Sequence, residues 1–540
     1  MHPPARGRAG RAPGMSQGHS PTIAVIDLFA GPGGLGEGFS AFETSDGLSP
    51  FRIGLSIEKE PTAHSTLRLR AFFRQFGRGR APDKYYEALR GEATVEELYK
   101  AFPKEASAAE REAWNTTLGE VARKDLNERI AKALKGSNRW VLIGGPPCQA
   151  YSIAGRSRNG GIKTYRPEDD RRQYLYVEYL QVIADHWPAV FIMENVKGLL
   201  SASLNNERLF HRIIDDLTSP RDALLREERT VGQASRNHKY RVVPIAAGEG
   251  SDQSTVMDYV VAAHRHGVPQ ARHRVILVGI RDDLGGGAPA PLPRSEPVSI
   301  DKVISDLPRL RAGFSRDDSV DRWLLSLLEV PERAWFRAAG RAAGEDVQDL
   351  IMRTVVNLKP PKRGRGAPFI QGEFIPDHEA SWYNDARLQG VSHHETRGHL
   401  EADLHRYLFV SAFGRTHGLS PKLKDFPTTL LPAHGNVEAA VNGGGLFSDR
   451  FRVQLEGRPA TTITSHIAKD GHYYIHPDPS QCRSLTLREA ARIQTFPDNY
   501  FFCGSRTMGY GQVGNAVPPL LARAIAKSIW SFLLQVGIDR

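Results

Sequence analysis

Five short apolar runs, ending in or close to a glycine or an acid, punctuate the first 280 residues: TIAVIDLF (22–29), RIGLSIE (52–58), RWVLIGG (139–145), AVFIMEN (189–195) and RVILVGI (274–280). Runs this short and this continuously apolar predict strands buried on both faces. Between several of them lie stretches of helical periodicity, such as RRQYLYVEYLQVIADHW. Strand and helix therefore alternate, which predicts an α/β domain with a mostly parallel sheet and helices on both faces. The segment 61–138 is charged and helix-prone (EELYKAF, LNERIAKAL) and longer than a crossover needs, so it reads as a helical insertion.

Past Ile280 the pattern changes. GGGAPAPLP, KPPKRGRGAPF and NGGGLFSD interrupt short mixed segments up to about residue 455, which predicts a separate, smaller, loop-rich and basic module. RSLTLREAARIQTF and GYGQVGNAVPPLLARAIAKSIWSFLL then restore helical patterning. Residues 1–20 are rich in Gly, Pro and Arg without periodicity and read as a disordered basic tail, with Met15 an alternative start. The expected division is this tail, an α/β domain over 21–283, a small domain over 284–504 and a C-terminal segment over 505–540. No internal repeat is present.

Composition narrows the class. The chain has 540 residues and 40% hydrophobic content, enough for sizeable cores in about two to four domains. It holds no run of 18 apolar residues and no apolar segment near its start, so no membrane span or secretory signal is expected and a cytoplasmic location is. Cys148, Cys482 and Cys503 are too few and too scattered for a disulfide framework or a four-ligand zinc site. The pair His394 and His399 in SHHETRGH are five apart and share no helical face, so no metal site is read there. Lys and Arg exceed Asp and Glu by 71 to 61, a net charge of +10, which permits a polyanionic partner without requiring one.

The candidate chemistry lies at the ends of the predicted strands. DLFAGPGG ends the first, and Gly31, Gly33 and Gly36 satisfy a dinucleotide fingerprint. Glu58 ends the second, where a carboxylate can accept from both ribose hydroxyls. Together they point to an adenosine-containing cofactor, with NAD and S-adenosylmethionine both open. Cys148 follows the third strand behind Gly-Gly-Pro-Pro, whose prolines restrict the backbone and aim the thiol. A free thiol with a pKa of about 8.5 is only a few per cent thiolate at neutral pH, so positive surroundings would activate it. Glu194 ends the fourth strand at the same sheet edge and is a candidate proton carrier. Gln270, Arg272 and Arg274 occupy alternate positions entering the fifth strand, so all three are expected on one side. Two guanidiniums there suit an anionic or carbonyl-bearing substrate.

DLFAGPGG, GGPPCQ, ENV, QARHR and QVGNAVPP, in this order, resemble the motifs of bacterial or phage-type DNA (cytosine-5) methyltransferases over roughly 22–282 and 458–535. The resemblance implies a Rossmann-like domain using S-adenosylmethionine and a target-recognition domain that reads double-stranded DNA. It implies Cys148 as the nucleophile at cytosine carbon 6, Glu194 as the acid at ring nitrogen 3, and Arg274, helped by Arg272, as the ligand of the base carbonyl. Gln149 and Gln270 would flank the base. Phe29, Gly31, Gly33, Gly34, Glu58, Pro147, Leu175 and Asn515 would line the cofactor site, with Glu120 as the adenine-contacting acid. The C-terminal segment would return to the catalytic domain and complete that site. Lys362, Arg363 and Arg365, in KPPKRGRG, would touch DNA phosphates or the groove.

The resemblance further implies a monomer working with a cognate restriction or phage-defence system. Three rivals remain at this point. A tRNA methyltransferase of the same family keeps the motifs but does not need the large module after QARHR. A silent DNA-binding relative does not need the nucleophile, acid and arginines together. An NAD-dependent oxidoreductase explains GPGGLG and Glu58 but leaves GGPPCQ and GNAVPP unexplained.

Overall fold

The computed structural model describes residues 22–77, 79–147, 175–201, 203–204, 207–231, 237–246, 255–433, 435, 437–441 and 448–537. Cys148, Gln149 and the tail expected over 1–20 lie outside them.

The apolar runs form the sheet. β1 (Ile23–Leu28), β2 (Phe51–Glu58), β3 (Ala113–Asn115), β4 (Val141–Gly144) and β5 (Val190–Val196) lie in the order β3-β2-β1-β4-β5, all parallel. Strand His273–Arg281 follows β5, and Tyr240–Val243 forms the far edge. The fifth expected strand is thus present, but it runs antiparallel to β5, with Ile276 opposite Glu194. Val260–Ala262 also pairs antiparallel with the beginning of this strand.

Alternation along each strand divides the core into two layers. Ile23, Val25, Ile53 and Ile143 face α1 (Gly34–Ser40) and the C-terminal helix Pro519–Gln535. Ala24, Ile26, Leu55 and Leu142 face helices Arg123–Leu134 and Leu175–His186. The C-terminal helix is apolar because it is buried: Leu521, Ile525 and Ile529 are fully enclosed. It approaches α1 so closely that a Cβ on Gly38 would stand 2.4 Å from Ala522 Cβ.

Two expectations need correction. The segment 61–138 is helical for most of its length, beginning with α2 (Pro61–Arg74), but it also supplies the edge strand β3. Only Ala113 of that strand is buried, so no apolar run marks it. The module after Ile280 is not loop-rich throughout. Helices Val320–Leu328, Ala334–Ala343, Glu345–Val356 and Glu401–His417 share a core containing Trp323, Trp335, Phe336, Val347 and Leu408.

RSLTLREAARIQTF folds into helix Leu487–Ile493, started by a capping box between Thr486 and Glu489. Its arginines point inward. Arg492 pairs with Asp498 at 2.7 Å and Asp306 at 2.7 Å, while Arg483, just before the helix, pairs with Glu489 at 2.6 Å. Burial alone would raise the Glu489 carboxyl, but Arg483 holds it well below the usual range. Helix Arg506–Asn515 and the C-terminal helix then lead back to the sheet.

Candidate active site

Functional positions gather at the carboxyl ends of β1, β2, β4 and β5. Leaving β1, the chain turns at once: Phe29 has φ 58°, Gly31 φ 58° and Gly33 φ 100°, and α1 starts at Gly34. The turn is tied to β2 because the Gly31 amide donates to Glu58 Oε2 at 2.8 Å and the Glu60 amide donates to Glu58 Oε1 at 2.8 Å. Each carboxylate oxygen retains a lone pair to accept a further hydrogen bond.

The glycines serve different ends. A Cβ on Gly31 would meet nothing within 4 Å among the described residues. On Gly33 it would stand 2.8 Å from Leu67 Cδ1, and on Gly34 2.2 Å from the Val517 carbonyl oxygen. Among the described residues Gly31 therefore has no neighbour on its Cβ side, whereas Gly33 and Gly34 allow the loop to pack on α2 and on the NAVPP segment. That packing brings exposed Asn515, two residues before Val517, to the loop's side of the molecule.

The parallel register sets Asn115 opposite Glu58, and the Asn115 side chain donates to the Glu58 carbonyl at 2.8 Å. The end of β3 thus adjoins the ribose-side acid. Glu120, the acid expected there, is five residues farther on and exposed. A Cβ on neighbouring Gly119 would lie 3.5 Å from Glu178, one turn into the helix that half-buried Leu175 begins. An open loop, an acid with accepting oxygens and a polar β3 end together fit a nucleoside with two ribose hydroxyls.

At β4 and β5 the structure joins Glu194 to Arg274. Glu194 Oε1 and Arg274 Nε are 2.7 Å apart, and both side chains are about seven-eighths buried, with 14% and 12% exposed. Gly145 lies against this pair, since a Cβ there would stand 2.9 Å from Glu194 Oε2. Asn195 donates to the Pro146 carbonyl at 3.2 Å. Half-buried Pro147 comes next, so the backbone leading to Cys148 is held beside the acid. Sequence reasoning did not single out Gly145 or Asn195, although both lie inside the quoted motifs.

Arg272 and Gln270 do not join the pair. Arg272, 1% exposed, donates to the carbonyls of Ile463 at 2.7 Å and Ala516 at 2.9 Å. Burial, reinforced by the like charge of Arg274, lowers its pKa well below the ordinary arginine value. Gln270 accepts from the Ile463 amide at 2.7 Å and donates to Gln494 at 2.5 Å. Both residues fasten the small domain and the NAVPP segment to the sheet. In the expected DNA-contacting loop, Lys362 and Arg363 are exposed. Arg365 is half-buried, donating to the Thr396 carbonyl at 2.9 Å and lying 3.6 Å from Asp318. It supports the loop, and exposed Arg363 donates to the Gln371 carbonyl at 3.1 Å.

Asp27, inside β1, also went unnoticed because it looks like one more strand-closing acid. It is fully buried, and among the described residues no side chain donates a hydrogen bond to its carboxylate. Burial, partly offset by Arg74, pushes its carboxyl up to about 8. A raised acid stabilises the fold fully below its unfolded pKa and loses that contribution as pH rises through the folded one. The wild-type protein should therefore lose more thermal stability between pH 5 and pH 8 than Asp27→Asn does. The limiting slope is about 1.4 kcal/mol per pH unit. Parallel melting curves for the two proteins would disprove it.

The chain matches the family model for C-5 cytosine-specific DNA methylase over residues 101–220 and 255–531. It is 31% identical over 528 residues to the type II methyltransferase M.Bpa9945I of Bacillus paralicheniformis, covering 94% of this chain and 98% of that protein. It is 26% identical to the DNA (cytosine-5-)-methyltransferase M.ApeKI of Aeropyrum pernix, over 73% of this chain and 82% of that one. The type II methyltransferase M.AgeI of Thalassovita gelatinovora is likewise 26% identical, over 72% and 82%. Motif order, sheet, paired acid and arginine, and these likenesses agree: the chain belongs to the C-5 cytosine-specific DNA methylases, which act on DNA with S-adenosylmethionine as cofactor.

Proposed function

We propose that this methyltransferase modifies carbon 5 of a cytosine turned out of duplex DNA, through a covalent adduct on Cys148. The observation that carries this reading is the Glu194–Arg274 pair beside Gly145 and Pro146, directly ahead of the cysteine. A cytosine ring offers a basic nitrogen next to a carbonyl, and an acid beside a guanidinium matches that edge. Cytosine carbon 5 is a poor nucleophile until carbon 6 is attacked, so covalent addition divides one difficult step into easier ones.

In this reading the Cys148 thiolate adds to carbon 6 while Glu194 holds a proton at ring nitrogen 3 and Arg274 binds the carbonyl oxygen. Negative charge pushed into the ring is thereby stabilised where it develops. S-adenosylmethionine, when bound, supplies an electrophilic methyl group. Gly31 and Glu58 anchor its nucleoside end, while Phe29, Pro147, Leu175 and Asn515 bound the pocket. Loss of the carbon-5 proton then lets the Cys148 sulfur depart and restores the aromatic ring. Turning the base out of the duplex costs a few kcal/mol, which contacts from the small domain must offset. Exposed Lys362 and Arg363 are proposed phosphate contacts, Gln149 a neighbour of the base, and 284–504 the recognition unit.

The names of M.Bpa9945I and M.AgeI as type II methyltransferases support a place in a restriction-modification or related defence system. A monomer in the cytoplasm, acting at the nucleoid, fits a DNA substrate. The test is nucleoside analysis of DNA from a host lacking 5-methylcytosine. The base should appear on expression of the wild-type chain and be absent with Cys148→Ala. Methylation confined to tRNA would replace this reading with the RNA one.

A further inference from the structure

Tyr500 reaches the cofactor loop from the other end of the chain. It is fully buried, packed on Phe496 at 4.7 Å and Phe502 at 5.6 Å between ring centroids. Its hydroxyl donates to the carbonyl of Pro32, the residue between Gly31 and Gly33. A Cβ on Gly33 would stand 3.0 Å from that same hydroxyl, so the phenol lies directly against the turn. Burial pushes the phenol well above its usual range, which keeps it a donor at any working pH.

The corner bearing Tyr500 is held from two sides. From the small domain, Arg488 donates to the Tyr500 carbonyl at 3.1 Å and to the Ser392 carbonyl at 2.9 Å. From the catalytic domain, Tyr85 donates to the Asn499 carbonyl at 3.1 Å, and Arg70 donates to the Asn499 side chain at 3.0 Å. The Arg70 guanidinium also lies 4.9 Å from the Tyr500 ring centre while pairing with Glu37 of α1. The hydroxyl therefore projects from a braced junction onto the Gly31–Gly33 loop that the cofactor reading assigns to S-adenosylmethionine.

We propose that Tyr500 is a positioning residue for S-adenosylmethionine, holding the Pro32–Gly33 turn, and through it the Gly31 amide and its open face, in the binding geometry. The inference rests on the cofactor reading of this loop. The simpler alternative is that the hydroxyl only satisfies a buried carbonyl and steadies the core.

Tyr500→Phe separates the two because it keeps the ring and its packing and removes only the donor. A lost hydrogen bond that leaves a buried carbonyl unpaired corresponds to roughly a 5- to 20-fold change in an equilibrium constant. Calorimetric titration of the full-length chain without DNA should show S-adenosylmethionine bound about that much more weakly. KM for the cofactor should rise in step, with kcat at saturating cofactor and KM for DNA within about twofold of wild type. The control is Tyr383→Phe: that hydroxyl donates to the Arg492 carbonyl at 2.9 Å, equally buried but away from the loop. It should lose comparable thermal stability and bind the cofactor like wild type. Wild-type affinity in Tyr500→Phe, or equal weakening in Tyr383→Phe, would overturn the positioning role. Failure of the wild-type chain to bind S-adenosylmethionine would instead overturn the cofactor reading beneath it.

Discussion

Glu194→Gln is expected to lower kcat by about two to four orders of magnitude while leaving KM for S-adenosylmethionine near wild type. Glutamine keeps the shape of the side chain beside Gly145 but can neither carry the proton for ring nitrogen 3 nor balance Arg274, which stands 2.7 Å from the acid. The loss should fall on kcat because the proton is needed most as the thiolate adds, an interaction stronger in the transition state than in the ground state. Transfer of tritiated methyl groups to DNA, followed in a single turnover, reads the step directly. A decrease of less than threefold would show that this acid is only an ion-pair partner. Gly145→Ala should mimic part of the defect, because its Cβ would press on Glu194 Oε2.

The second large effect concerns folding. Gly34→Ala places a Cβ 2.2 Å from the Val517 carbonyl oxygen, and the three nearest atoms are all Val517 backbone, so the NAVPP segment or the loop has to move. Overpacking of this kind costs about 1–3 kcal/mol, and the variant should melt several degrees below wild type without any ligand. Gly31→Ala should behave in the opposite manner. Among the described residues its Cβ meets nothing within 4 Å, yet it enters the space assigned to the cofactor and carries a left-handed φ of 58°. It should keep most of its thermal stability and lose cofactor affinity. Similar melting and binding in both variants would erase the distinction between packing glycine and ligand-facing glycine.

The contrast between those glycines shows where the sequence was legible. β1, β2, β4 and β5 are buried on both faces and carry continuous apolar runs, so their positions and the acids or loops at their ends could be read directly. β3 has three residues, one of them buried, and its place beside β2 comes only from pairing. That is why nothing in the apolar pattern marked Asn115, which pairs with Glu58, while the expected adenine-side acid, Glu120, lies five residues farther on.

The arginines failed for a different reason. Alternation put Gln270, Arg272 and Arg274 on one side, which holds only for unbroken extended backbone. Here the Arg272 amide bonds the Gln270 carbonyl at 2.8 Å, a tight turn that ends one strand register before His273 starts the next. Arg274 therefore reaches Glu194, while Arg272 and Gln270 turn toward Ile463. In the small domain, Gly- and Pro-rich strings stood out more than the periodicity of Trp323, Leu327, Trp335 and Phe336, so its helices were hidden behind their connections. Inward arginines such as Arg492 look like surface charge until their partners Asp306 and Asp498 are brought together from distant segments.

The central claim is covalent catalysis at Cys148, and the most direct measurement is peptide mapping of a trapped adduct. In DNA carrying 5-fluorocytosine there is no carbon-5 proton to remove, so the sulfur cannot depart after methyl transfer. With S-adenosylmethionine, the wild-type chain should form a denaturant-resistant complex with such DNA, the modified peptide should contain Cys148, and Cys148→Ala should form none. An adduct mapped to another residue, or methylated cytosine produced by Cys148→Ala, would contradict the account.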